Sequence, residues 1–204
     1  MNKKIPDNMI ILISGAPGIG KTTLSHLLLS AFPELLMIEE TDIIREILLG
    51  YDEYLSSKKI NNLNKLLDHN VIMDYEMALE QCHIMKASIR NIILRQQRKE
   101  IPTIINGVHI IPEILYDYLD FPNIIYVILY TDSKRDLEKH YKSRNDHKHP
   151  KSLPLIFDMN KKLFRRSSYL FGNKKNVFVI NVSALSASNT NEIIVKQLIK
   201  YLDP

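Results

Sequence analysis

Apolar residues along the chain gather in short runs separated by longer stretches of mixed polarity. The runs Met9–Ser14, Leu35–Ile38, Thr103–Asn106, Ile124–Tyr130 and Val177–Ile180 read as strands buried in a sheet. Between them, apolar positions recur at helical spacing over Thr22–Ala31, Asp42–Leu49, a long stretch from Ile60 to Arg98, Leu155–Phe171 and Asn189–Tyr201. Strands alternating with helices predict an α/β domain, a five-stranded parallel sheet covered on both faces and joined by right-handed crossovers. No segment repeats at a fixed period and no low-complexity linker divides the chain, so residues 1–204 read as a single domain. The helical stretch over about residues 58–100 is too long for a plain crossover. The spacing of Leu63, Leu66, Leu67, Val71, Met73 and Met77 predicts a helical hairpin beside the sheet. It would either wall a substrate cleft or simply cover the sheet.

Composition changes this picture little. The longest apolar run, Ile124 to Tyr130, is far short of the roughly 20 residues that span a bilayer, so no membrane association is expected. "MIILI" after Lys3-Lys4 is too short for a signal peptide and leads into a glycine-rich turn. The single cysteine, Cys82, excludes an intrachain disulfide framework, and the cytoplasm is the expected compartment.

Charge is more informative. The formal net charge is +4, yet residues 134–175 hold 13 Lys or Arg against 4 Asp or Glu, a local +9 that leaves −5 for the rest. One basic third on a mildly acidic body suits either nucleic acid or a small multi-anionic ligand.

The candidate chemistry begins in "GAPGIGKTT". Gly15, Ala16, Pro17, Gly18, Ile19, Gly20, Lys21 and Thr22 form a full G-x-x-x-x-G-K-T, followed by Thr23. Glycines let backbone amides turn inward and form a nest for phosphate oxygens. The next helix adds its unpaired N-terminal amides at the same point. Lys21 can bridge the β- and γ-phosphates of ATP, and the Thr22 hydroxyl can ligate Mg²⁺. A preceding strand and a following helix are the setting such a loop requires.

A GTPase would also carry N-K-x-D and D-x-x-G. None of Asn64-Lys65, Asn160-Lys161 and Asn173-Lys174 has Asp three residues after the Asn, and no glycine has Asp three residues before it. A compact phosphotransferase remains, and it needs a carboxylate at the acceptor hydroxyl, cations for the acceptor and a cover that excludes water. Asp42 in "EETDIIRE" follows the second strand, where it could deprotonate the hydroxyl or hold a Mg²⁺-bound water. Arg45, one turn later, could bind a carboxylate or phosphate of the substrate. In "INGVHIIPE", Gly107 permits close approach and His109 would point into the cleft toward substrate. Asn106 stands where many phosphate-loop enzymes carry an acid, so the metal task would fall to Asp42 or to a glutamate before it. The basic segment, about 133–172, reads as a lid with its following helix. Within it Arg144 is the leading catalytic candidate, and Arg166 the next, as a substrate contact.

Together these segments resemble archaeal 2-phosphoglycerate kinase and its relatives. The resemblance rests on "TDIIREIL" at Thr41–Leu48, "NGVHIIP" at Asn106–Pro112, "KHYKSR" at Lys139–Arg144 and "RRSSYL" at Arg165–Leu170. It implies a nucleoside-kinase-like phosphate-loop fold that transfers the γ-phosphoryl of ATP to a phosphorylated hydroxy acid. Asn106 replaces the family's glutamate, and the family's N-terminal extension is not expected here. A similar compact branch is the mevalonate 3-phosphate 5-kinases of acidophilic, heat-loving archaea, in isoprenoid biosynthesis, whose longer acceptor the stretch Ile60 to Met85 would suit. By this resemblance mevalonate 3-phosphate is the first acceptor and 2-phosphoglycerate the second. The competing readings are a polynucleotide kinase or RNA-associated ATPase, and a nucleotide-binding module without turnover. The first is disfavoured by few aromatics outside core spacing, so no nucleic-acid partner is expected. The oligomeric state stays open, a homodimer included.

Overall fold

The computed structural model describes residues 4–57, 74–121, 123–142, 153–183 and 185–202. Five strands form one sheet: β1 (Ile10–Ser14), β2 (Met37–Glu40), β3 (Thr103–Gly107), β4 (Ile124–Tyr130) and β5 (Val177–Asn181). They lie in the order β2-β3-β1-β4-β5, and every neighbouring pair is parallel. The fold class read from the sequence is therefore the one observed.

β1, β3 and nearly all of β4 are buried, which is why they read as unbroken apolar runs. β2 and β5 are the edges, and their exposure lets glutamates and an asparagine into the strands. The second strand accordingly lies two residues later than its apolar run predicts, ending on Glu40.

The helices are α1 (Lys21–Ala31), α2 (Thr41–Ser57), α3 (Tyr75–Arg98), α4 (Pro112–Leu115), α5 (Lys134–Lys142), α6 (Leu153–Phe171) and α7 (Ala187–Tyr201). A 3₁₀ turn over Tyr116–Tyr118 follows α4. α2 continues well past Leu49, through Gly50. The first part of the anticipated helical hairpin, residues 58–73, lies outside the described residues. Its second part is α3, capped by the Asp74 carboxylate, which accepts from the Met77 amide.

The sheet separates two cores. Ile10, Leu12 and Tyr126 face α3, α4 and the C-terminal part of α6. Ile11, Ile13 and Val127 face α1 and α7. Alternation along the strands distributes these side chains between the faces. Glu40, Asn106 and Ile13 share one row across β2, β3 and β1, so the loops after these three strands leave the sheet side by side. That row is the floor of the candidate site.

Candidate active site

The glycine loop after β1 ends on α1. Gly18 (φ 82°) and Gly20 (φ 101°) occupy left-handed backbone conformations that side chains disfavour. Gly20 also serves as the N-cap of α1, placing Lys21, Thr22 and Thr23 in its first turn. Lys21 is buried, and its Nζ donates to the carbonyls of Gly15 (2.9 Å) and Ala16 (3.0 Å). The ammonium thus lies across the loop, within reach of anything the amides hold.

The Thr22 hydroxyl donates to Glu40 Oε1 at 3.1 Å. This bond ties the start of α1 to the end of β2, and Asp42 stands two residues further on. Asn106 is buried and donates from Nδ2 to Ser25 Oγ at 2.9 Å, which binds β3 to α1. The acid that meets the Thr22 hydroxyl is therefore Glu40 at the end of β2, while Asn106 is taken up by Ser25. The Thr22 hydroxyl thus bonds to the preceding glutamate rather than to Asp42, which the sequence favours beside Thr22 for a metal. A hydroxyl and a carboxylate oxygen at this spacing fit a hard cation such as Mg²⁺. Among the described residues no three acidic, His or Cys side chains converge, so such an ion would take its other ligands from phosphate and water.

Asp42 opens onto solvent, with its side chain 55% exposed. Its Oδ1 is 3.8 Å from a guanidinium nitrogen of Arg45 and 3.7 Å from His109 Nδ1. Arg45 is itself buried and also meets Glu46 at 3.5 Å. A cation held this deeply fixes its carboxylate partner more firmly than a surface lysine could.

His109 corrects the sequence expectation. Its ring does not open into the cleft but is fully enclosed. Nδ1 is 3.0 Å from Thr41 Oγ1, and Nε2 is 2.9 Å from Gln81 Oε1 on α3. An Oε1 atom can only accept, so Nε2 carries the proton and Nδ1 accepts from the threonine hydroxyl. Burial, only partly offset by Asp42 and reinforced by Arg45 and Lys21, lowers its pKa to about 4, so the ring is neutral at pH 7. The surrounding backbone is tied as well, for the Cys82 thiol donates to the His109 carbonyl at 2.9 Å.

Arg166 belongs to a second group. Its Nε donates to Glu113 Oε1 at 2.7 Å, and the Tyr75 hydroxyl donates to Glu113 Oε2 at 2.8 Å. Burial, and then the Glu113 carboxylate, push the Tyr75 hydroxyl pKa up. This group joins α3, α4 and α6, and the Arg166 side chain remains half exposed. Arg144 lies outside the described residues. In α5 the basic face is partly neutralised by its own acids, Lys139 to Asp136 (3.6 Å) and Lys142 to Glu138 (2.9 Å).

A small cavity of about 80 Å³ adjoins the start of α1, lined by Thr23, Leu129, His140, Val182, Leu185 and Thr190. Nothing in the sequence pattern marked it, because its walls come from four separate segments.

Known structures share this architecture. Over 97% of its length the chain is similar to shikimate kinase from Acinetobacter baumannii in complex with shikimate, with 14% identity, 95% of that chain covered and a TM-score of 0.60. Over 98% it is similar to a gluconokinase from Sinorhizobium meliloti 1021, with 12% identity, 95% of that chain covered and a TM-score of 0.58. A sugar kinase from Janibacter sp. HTCC2649 matches over 93% at 13% identity, with 94% of that chain covered and a TM-score of 0.52. The chain thus has the α/β fold of phosphate-loop kinases. No protein-family model matches the sequence, and no curated protein does.

Proposed function

We propose that this chain is an ATP-dependent kinase that phosphorylates a hydroxyl group of a small anionic hydroxy acid. The observation that carries this reading is the Thr22–Glu40 hydrogen bond, which draws the phosphate loop and the half-exposed Asp42 to one edge of the sheet.

In this reading Gly15 to Thr23 cradle the triphosphate, and Lys21 turns from its loop carbonyls to the β- and γ-phosphates. The cavity beside Thr23 offers apolar walls to the base. Thr22 and Glu40 would hold Mg²⁺, which supplies charge neutralisation at the phosphate oxygens. Asp42 accepts the proton as the acceptor O–H bond breaks, the new P–O bond forms and ADP leaves. Arg45 fixes Asp42 and lies beside the anionic groups of the acceptor. Arg166 reaches those groups from α6, and Arg144 steadies the transferring phosphoryl group. His109 acts from behind, accepting from the Thr41 hydroxyl and so fixing the start of α2, where Asp42 stands.

The resemblance of four successive segments to the 2-phosphoglycerate kinase family supports a phosphorylated hydroxy acid as acceptor. Mevalonate 3-phosphate, giving the 3,5-bisphosphate, comes first and 2-phosphoglycerate second. An ADP-release assay against mevalonate 3-phosphate, mevalonate, 2-phosphoglycerate and glycerate decides among them. Lys21→Ala and Asp42→Asn should each lower turnover by roughly 100-fold or more while the circular dichroism spectrum is unchanged. Full turnover by the Asp42→Asn protein would remove that carboxylate from the chemistry. Activity with glycerate derivatives alone would move the acceptor and leave the kinase reading standing.

A further inference from the structure

At the end of the sheet where the strands begin, away from the phosphate loop, a groove of about 780 Å³ opens along β5 and the last turn of α7. Its walls are apolar: Met9 ahead of β1, Val177 and Val179 on the edge strand, and Leu202 after α7. Lys175 and Lys200 also line it, and both side chains are exposed. None of its described lining residues is acidic. Gln197 contributes a primary amide whose buried Oε1 has no hydrogen-bond partner among the described residues.

Each feature constrains the occupant. The volume is that of a small-molecule site, and apolar walls gain most by covering an apolar body. Two ammonium groups, with no acid among the described lining residues, favour a negative head group over a neutral or positive one. The Gln197 amide can turn either its oxygen or its nitrogen toward a polar head.

We propose that this groove is a second ligand site, which takes a small amphipathic organic anion: an acyl carboxylate with its chain along Val177 and Val179 and its head toward Lys175 and Lys200. The site shares no residue with the phosphate loop or with the acids after β2, so it stands independently of the kinase reading.

Decanoate, below its micellar concentration, is the probe. Titration of the full chain, followed by calorimetry and by amide NMR shifts, should show saturable binding of one molecule per chain. The shifts should centre on Val177, Val179, Tyr201 and Leu202. Decylamine, with the same chain and the opposite charge, should bind more weakly. The double variant Lys175→Glu/Lys200→Glu should lose about tenfold in decanoate affinity with its melting temperature unchanged, since both side chains are exposed. Equal affinity for the two amphiphiles, displacement of decanoate by ATP, shifts centred on residues 15–23, or failure to saturate would each overturn the proposal.

Discussion

Enclosing one imidazole has a measurable consequence. His109 titrates near 4 in the folded chain, against about 6.5 for an exposed histidine. The unfolded chain therefore binds this proton first. Between these two values the folded state is penalised, and stability falls as pH drops from about 6.5 toward 4. The limiting loss is on the order of 3 kcal/mol. Urea midpoints measured at pH 7 and pH 5 should differ accordingly, and the difference should shrink in His109→Gln. An unchanged difference would place the titration elsewhere. At this scale the sequence was legible where chemistry is local. Gly15 to Thr23 need only their neighbours to make a nest. The Thr22–Glu40 bond was not legible because it depends on where β2 ends, nor was the burial of His109, because its partner Gln81 lies 28 positions away.

Two glycines show how elements, rather than residues, decide a substitution. At Gly107, where β3 ends, a Cβ would come within 1.7 Å of Thr41 Oγ1 and 2.8 Å of Thr41 Cβ. The close passage of β3 beneath the start of α2 thus requires glycine. Gly50 sits in α2 facing solvent, and a Cβ there meets nothing within 4 Å. Gly107→Ala should cost about 1–3 kcal/mol by overpacking, whereas Gly50→Ala should add about 0.5–1 kcal/mol by favouring the helix. Chemical denaturation of the two variants should give opposite signs, and a shared sign would contradict one of these packing assignments. Gly50 also explains why α2 read as ending at Leu49. A glycine resembles a stop signal, yet inside an exposed helix it is only a modest penalty that the rest of the element absorbs. The buried strands were legible for the opposite reason, since double-sided burial leaves a continuous apolar run.

For the molecule as a whole, alternation of strands and helices foretold a parallel sheet but not the order of its strands. That order puts β1 at the centre with β3 beside it, which brings the loops after β1, β2 and β3 together. Long-range pairing of this kind leaves no local trace in sequence. The thiol under this junction offers a way to watch it. Cys82, the chain's one cysteine, is buried on α3 with its hydrogen bonded to the His109 carbonyl, and burial pushes its pKa up. A thiol so placed resists attack until α3 lifts from the sheet. Aromatic disulfide reagents should label the native protein at least about 100-fold more slowly than the urea-unfolded chain, and comparable rates would mean that this seam parts freely. The molecule thus carries its own clock for breathing motions beneath the segment that follows β3. Any small molecule that slows its ticking would reveal itself as a binder without an enzymatic assay.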